Sequence, residues 1–345
     1  MASDQGKSEK TRVGVNGFGR IGRQVVKALF EYYPDDIEVV AYNNTSPIES
    51  NAHLFKYDST YGRYPGSVEP ADDGLVIDGK LVKDLTELDP SNIQWGDMEV
   101  DIVLETSGRF TDASKASVHM EGGAKKVIIS APSNGADSTV ILGVNQDDYD
   151  PNAHRVISCG SCTTNAIVPV VKVLNDHFGV DKGLMTTVHA YTNDQRLLDG
   201  SHKDLRRARG AGQNIVPTST GAAKAVGQLL PELEGKIHGI ALRVPTPTVS
   251  LIDFTAELKQ DVDADQVNAA FKETSENAMA GILGYSEEPL VSTDFVEDTH
   301  SCIFDALSTV VIGGNMVKVL AWYDNEWGYS VRLAELTQKV ANQGI

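Results

Sequence analysis

The chain has 345 residues, long for a single hydrophobic core, so its length predicts two domains. Its 41% apolar and 23% charged residues are those of a folded globular protein and exclude a disordered chain. The 48 acidic against 30 basic residues leave a net charge of −18, which excludes nucleic-acid backbone and anionic membrane as partners and suits a halophilic, salt-rich cytoplasm where screening relieves self-repulsion.

The first ten residues, Met1 to Lys10, are polar, and no stretch approaches the ~18 consecutive apolar residues that a membrane span needs, so a cytoplasmic protein is expected. Three cysteines, Cys159, Cys162 and Cys302, are too few for a disulfide framework and agree with a reducing compartment.

From Thr11 an apolar strand-like run leads into a Gly-rich turn, an amphipathic stretch over Arg20 to Phe30 and a second apolar run over Ile37 to Tyr42, which together predict a βαβ unit. The turn reads NGFGRIG, and Gly17, Gly19 and Gly22 satisfy GxGxxG between strand and helix. In that context the first glycine permits the turn, the second lets backbone approach a pyrophosphate and the third lets the helix pack on its strand. The fingerprint expects an acidic residue about 20 positions on, at the end of the second strand, to hold the ribose hydroxyls of NAD. Asn44 stands there; an amide can bond a ribose hydroxyl yet carries no charge to repel a 2′-phosphate, so NAD and NADP are both candidates. Further buried strands are expected at Val100 to Glu105 and Lys126 to Ser130, completing a doubly wound parallel sheet over the first ~150 residues.

Past this point the pattern changes. An apolar run at Val156 and Ile157 precedes Ser161–Asn165 (SCTTN), and a helical stretch over Thr163 to Phe178 follows. A cysteine at such a strand-to-helix turn has its sulfur at a helix N-terminus, where the dipole favours thiolate, so Cys162 is the candidate nucleophile. Cys159 and Cys162 also form CxxC, but no further ligand spacing accompanies it and no metal is expected; reversible oxidation of the pair is a side reading. Strands are expected at Gly183 to Ala190, Ile237 to Val244, Thr248 to Leu258 and Ser308 to Tyr323, the last with a turn at Gly313 and Gly314, so the second domain is α+β with a mixed or antiparallel sheet. His189 lies within TTVHAYTND, and an imidazole paired with Cys162 would stabilise its thiolate and serve as general base and acid. KDLRRAR (203 to 209) and Arg243 could hold phosphate oxygens, although the basic run reads equally as a solvated helix face or a subunit contact. Ser330 to Asn342 predicts a final amphipathic helix.

Taken together, NGFGRIGR (16 to 23), NAHLFKYDSTYG (51 to 62), SCTTN, HAYTNDQ (189 to 195), PTSTGAAKAVG (217 to 227), RVPTPTVS (243 to 250) and WYDNEWGYS (322 to 330) give a chain that strongly resembles phosphorylating glyceraldehyde-3-phosphate dehydrogenase. The resemblance implies an NAD(P)-binding Rossmann domain over 1–161, a catalytic domain over 162–325 and a C-terminal helix over 326–345 packing back on the first domain, in a homotetramer. It implies that Cys162 attacks glyceraldehyde 3-phosphate, that His189 takes the thiohemiacetal proton as hydride leaves for the nicotinamide, and that inorganic phosphate cleaves the thioester to 1,3-bisphosphoglycerate, in glycolysis or gluconeogenesis. By the same resemblance Thr192 and Arg243 hold the substrate phosphate, and Ser161, Thr163, Arg207, Thr220 and Gly221 surround the attacking phosphate. Asn325 would orient the carboxamide, with Arg20, Ile21 and Ser130 also lining the cofactor. Most members carry an acidic residue at the position of Asn44, whereas Thr45 and Ser201 look like the residues that accept a 2′-phosphate in dual-cofactor members, so dual use of NAD and NADP is expected. A second departure is Cys159, where members usually carry a residue without a thiol. Two other readings remain: an erythrose-4-phosphate dehydrogenase that hydrolyses the thioester, and a dinucleotide-binding protein without catalysis.

Overall fold

The computed structural model describes residues 10–345; the expectation of a polar N-terminal stretch falls on residues 1–9 and lies outside the described residues. The chain divides into two compact units, one formed by residues up to Thr139, by Tyr149–Cys159 and by Leu333–Ile345, the other by Val140–Asp148 and Gly160–Arg332.

The first unit is built on a nine-stranded sheet. Its order is Ser138–Thr139, Val156–Ser158, Lys126–Ile129, Ile102–Glu105, Thr11–Asn16, Ile37–Asn43, Lys80–Asp84, Gly74–Ile77 and Val68–Ala71. The first seven strands run parallel, as expected of a doubly wound sheet. Their interior positions are closed to water, including Val13, Val15, Ile102, Val103, Leu104, Val127, Ile128 and Ile129, and burial on both faces explains why these strands read as continuous apolar runs. The helix Arg20–Tyr32 joins the strands Thr11–Asn16 and Ile37–Asn43 and buries Val25, Val26, Ala28 and Leu29.

One part of this sheet departs from the sequence reading. Val68–Ala71, Gly74–Ile77 and Lys80–Asp84 form an antiparallel meander that extends the parallel sheet. Its tight turn is Asp78–Gly79, with φ of 47° and 77°, the left-handed pair that a two-residue hairpin needs. These strands are short, and interruption by Pro70, Asp72 and Asp73 hides their alternation.

The second unit carries a seven-stranded mixed sheet in the order Val216–Ser219, Ile237–Val244, Val180–Ala190, Ser250–Leu258, Met316–Tyr323, Cys302–Ile312 and Leu283–Ser286. The run expected over Ser308 to Tyr323 resolves into the last part of one strand and a second, antiparallel one, and Gly313 and Gly314 turn between them with φ of 66° and 89°. Burial alternates along Ser250–Leu258, so one face of the sheet is covered. The helix Cys162–Phe178 packs on that side, with Ala166, Ile167, Val170, Val171 and Leu174 fully buried. Leu184, Ile240, Ile312 and Met316, from four strands of the same sheet, stay exposed. The final helix is Trp327–Gln343, longer at its start than the periodicity suggests. Residues 203–209, one reading of which was a helix face, form turns instead, with Asp204 and Arg207 both bonded to Thr218 of the strand Val216–Ser219.

Candidate active site

In the first unit the three glycines of the turn have separable roles. Gly17 has φ +101°, and a Cβ there would lie 2.5 Å from the Ser107 backbone. A Cβ on Gly22 would lie 2.0 Å from the Gly17 carbonyl oxygen, so this glycine seats the helix against its turn. Gly19 faces open space: nothing stands within 4 Å of a Cβ built there. The fold therefore needs no glycine at 19, and the free volume at the helix start is where a pyrophosphate would approach backbone N–H groups.

That turn borders a cleft of about 210 Å³, lined also by Asn43, Asn44, Thr45, Leu88, Thr106, Arg109 and Phe110. Asn44 is held on both sides, its Nδ2 donating to Asn51 Oδ1 at 2.8 Å and its Oδ1 accepting from Thr45 N at 3.0 Å. Glu87 contributes an acidic side to the same cleft. Arg20, another expected cofactor contact, donates to Asp58 at 2.7 Å and lies over the Tyr61 ring. Ile21 follows it in the first helical turn, and Ser130 ends the strand run with its N–H bonded to Glu105. The floor of the cleft rests on a buried polar chain: Trp95 Nε1 donates to His119 Nδ1, His119 Nε2 to Glu105, and Glu105 also accepts from Asn16 and from the Ser107 N–H and hydroxyl. Ser107 is the residue on which Gly17 packs.

In the second unit Ser161 is the N-cap of Cys162–Phe178, its hydroxyl accepting from Thr164 N at 3.0 Å. Cys162 is thus the first helical residue. His189 sits near the end of the strand Val180–Ala190, and its Nε2 is 3.5 Å from Cys162 Sγ. The ring's Nδ1 is 2.6 Å from the Ala190 carbonyl, which can only accept, and 3.2 Å from Arg243 Nη1, which can only donate; the shorter contact keeps the proton on Nδ1, and Nε2 offers its lone pair to the thiol. Tyr323 closes the pocket: its ring packs edge-on against His189, and its hydroxyl bonds Thr163 at 3.0 Å and Thr187 at 2.8 Å.

The charges around this pair decide its resting state. Burial pushes the His189 imidazole down to about 3, and the Arg243 guanidinium adds to the effect. Burial also raises the Cys162 thiol, opposed first by Arg243 and then by hydrogen bonds from Thr163. Desolvation thus opposes the thiolate that the helix N-terminus and Arg243 favour.

Arg243 lies opposite His189 in the sheet register, and its Nη1 donates to Ala190 O at 3.1 Å and to Thr192 Oγ1 at 3.3 Å. Its buried Nε has no partner among the described residues, an unmet donor suited to an anion. Arg207 heads a second cluster. It bonds Asp194, Thr218 Oγ1 and the Ser219 carbonyl, and its charge helps to lower His189 and Arg243. Thr220 and Gly221 follow directly and begin the helix Ala222–Leu229. The structure thus brings Cys162, Thr163, His189, Thr192 and Arg243 together and groups Arg207 with the strand that leads to Thr220. Asn325 is buried and bonds Ser250 Oγ. Ser201 is exposed, its carbonyl accepting from Arg196, and Thr45 belongs to the other unit. Sequence reasoning missed Asp194, Tyr323 and Ser250. All three sit inside quoted motifs, but which atoms they meet depends on the sheet register.

Among the described residues no three His, Cys, Asp or Glu side chains are placed to hold a metal ion, and no helix is long and apolar enough to cross a membrane. All three cysteines are free.

Comparison with known proteins places these features in one group. Residues 11–113 match the family described as glyceraldehyde 3-phosphate dehydrogenase, NAD binding domain, and residues 161–325 match its C-terminal domain. The glyceraldehyde-3-phosphate dehydrogenase of Geobacillus stearothermophilus is 55% identical over 334 residues, covering 97% of this chain and 99% of its own. Similar proteins of that name occur in Streptomyces avermitilis, 54% identical over 96% of this chain and 99% of its own, and in Streptomyces coelicolor, 54% identical over the same shares.

Proposed function

Because the chain belongs to the glyceraldehyde-3-phosphate dehydrogenase family, we propose that it oxidises glyceraldehyde 3-phosphate, with inorganic phosphate, to 1,3-bisphosphoglycerate while a nicotinamide dinucleotide is reduced. The observation that carries this reading is the 3.5 Å approach of Cys162 Sγ to a His189 whose other nitrogen is locked on Ala190 O. As the aldehyde arrives, Nε2 takes the thiol proton and the sulfur adds to the carbonyl carbon, giving a thiohemiacetal. His189 returns that proton to the nascent alkoxide and removes it again as hydride departs, leaving a thioester on Cys162. The dinucleotide supplies the hydride acceptor. Phosphate oxygen then adds to the thioester carbon and the thiolate leaves, reprotonated from His189.

Arg243 and Thr192 would hold the substrate's phosphate, the first through its unmet Nε donor. Ser161, Thr163, Arg207, Thr220 and Gly221 would surround the attacking phosphate, which must share Arg207 with Asp194. For the cofactor, Gly17, Gly19, Arg20, Ile21, Gly22, Asn44, Thr45, Ser130, Ser201 and Asn325 are the proposed contacts, and the open volume at Gly19 fits the group.

We further propose that NADP is accepted beside NAD, with Thr45 and Ser201 receiving the 2′-phosphate. The support is an uncharged Asn44 whose amide oxygen is already committed to Thr45 N, and Arg109 in the same cleft; Glu87 opposes it. Homotetramer formation is supported by exposed aliphatics, Leu197, Leu198, Leu205 and Ile215 on one loop and Leu184, Ile240 and Ile312 on the sheet. A cytoplasmic place in glycolysis or gluconeogenesis and adaptation to high salt complete the reading, the latter resting on the charge of −18.

Initial rates with glyceraldehyde 3-phosphate and with erythrose 4-phosphate, each with NAD and NADP, with and without phosphate, test this directly. Strict phosphate dependence with the triose, and NADP rates within about tenfold of NAD, are expected, a gap of ~1.4 kcal/mol. Phosphate-independent turnover would favour the erythrose reading, a hundredfold preference for NAD would remove the dual-cofactor proposal, and inactivity with both would favour a binding protein.

A further inference from the structure

One buried hydroxyl next to the reacting groups has no part in the chemistry above. Ser250 begins the strand Ser250–Leu258 and is 1% exposed. Its Oγ receives the Ala190 N–H at 3.0 Å and lies 2.8 Å from Asn325 Oδ1. A backbone N–H can only donate, which leaves the hydroxyl proton free for the amide oxygen that faces it. Asn325 Nδ2 is thereby turned away from Ser250. On the other side, Ala190 offers its carbonyl to His189 Nδ1 at 2.6 Å and to Arg243 Nη1 at 3.1 Å. One hydroxyl therefore ties the backbone residue that anchors the imidazole to the side chain of Asn325.

The surroundings hold that hydroxyl firmly. Val249, directly before it, is buried with φ +65°, a conformation a β-branched residue adopts only under constraint. The constraint is a pair of links to consecutive residues: Thr248 Oγ1 donates to Asp324 Oδ1 at 3.1 Å, and Ser250 Oγ donates to Asn325. Asp324 Oδ1 also accepts the Glu326 and Trp327 N–H groups, which fixes the start of the last helix.

We propose that Ser250 is a positioning residue of the dehydrogenase: its hydroxyl sets the amide orientation of Asn325 and the backbone of Ala190, so that the cofactor-facing amide and the imidazole keep one register. The proposal rests on the reading of Asn325 as a dinucleotide contact.

The test uses the full-length protein and its Ser250→Ala, Asn325→Ala and double variants, with NAD dissociation constants from titration calorimetry and the pH profile of Cys162 alkylation by iodoacetamide in cofactor-free protein. Ser250→Ala should weaken NAD about tenfold, and the double variant should bind no worse than Asn325→Ala alone, because the hydroxyl acts through the amide. The alkylation profile of cofactor-free Ser250→Ala should also move along the pH axis, since the anchor of His189 is loosened. Should Ser250→Ala fold poorly, Ser250→Cys keeps a weak donor in nearly the same volume and should fall between the wild type and Asn325→Ala in NAD affinity. Wild-type behaviour of the Ser250 variants in both measurements, or losses that add in full, overturns the proposal. Wild-type NAD affinity in Asn325→Ala overturns instead the reading of Asn325, while the alkylation profile still reports whether Ser250 holds Ala190.

Discussion

In the proposed chemistry His189 is the pivotal residue, because a neutral imidazole with its Nδ1 proton given to Ala190 O is a base already aimed at sulfur. Replacing it with Asn should slow oxidation about 10²–10⁴-fold, measured as the rate of a single turnover at saturating aldehyde. The same residue shapes acid stability. In the unfolded chain its proton binds around the ordinary value of 6.5, in the native protein only near 3, so unfolding takes up a proton between them. Native stability therefore falls as pH drops from about 6.5 towards 3, and His189→Asn should flatten that part of a urea-midpoint curve. At this scale the sequence revealed residue types better than partners. Cys162 was legible because SCTTN sits at a strand-to-helix turn, a local signal. Its contact with His189 spans 27 positions and is made by the sheet, and its raised thiol depends on burial that no local pattern reports.

The glycine-rich turn proposed to hold the pyrophosphate is the element whose logic is most open to test. Gly19→Ala should leave the melting temperature nearly unchanged, since its Cβ meets nothing, while NAD affinity measured by calorimetry falls at least tenfold. Gly22→Ala should instead destabilise the fold itself, because its Cβ would press on the Gly17 carbonyl from 2.0 Å. Equal effects of the two on stability would contradict this division of labour. The βαβ unit around the turn was readable since its signals are local: periodicity, glycine spacing and strand-like runs. The meander over Val68–Asp84 was not, although Asp78–Gly79 is a hairpin signal, because its strands are four and five residues long and broken by Pro70 and aspartates. The loop carrying Arg207 escaped for another reason. Its conformation is set by Asp194, Asp204 and Thr218 rather than by helical periodicity.

For the whole molecule, the charge of −18 and the aliphatics left exposed pull in opposite directions, one repelling copies of the chain and the other inviting them together. Salt screens the first and leaves the second unopposed. The midpoint of thermal unfolding should therefore rise between dilute buffer and molar potassium chloride, and sedimentation should show self-association favoured in the same direction; equal or better stability in dilute buffer would exclude salt adaptation. The central claim, that Cys162 carries an acyl group which phosphate must remove, is tested most directly by mixing enzyme, NAD and glyceraldehyde 3-phosphate without phosphate and weighing the quenched protein. A burst of one NADH per active chain, a stall, and an adduct of 3-phosphoglyceroyl mass on the peptide bearing Cys162 that disappears when phosphate is added are expected. Continuous turnover without phosphate, or a burst that survives Cys162→Ala, would contradict it.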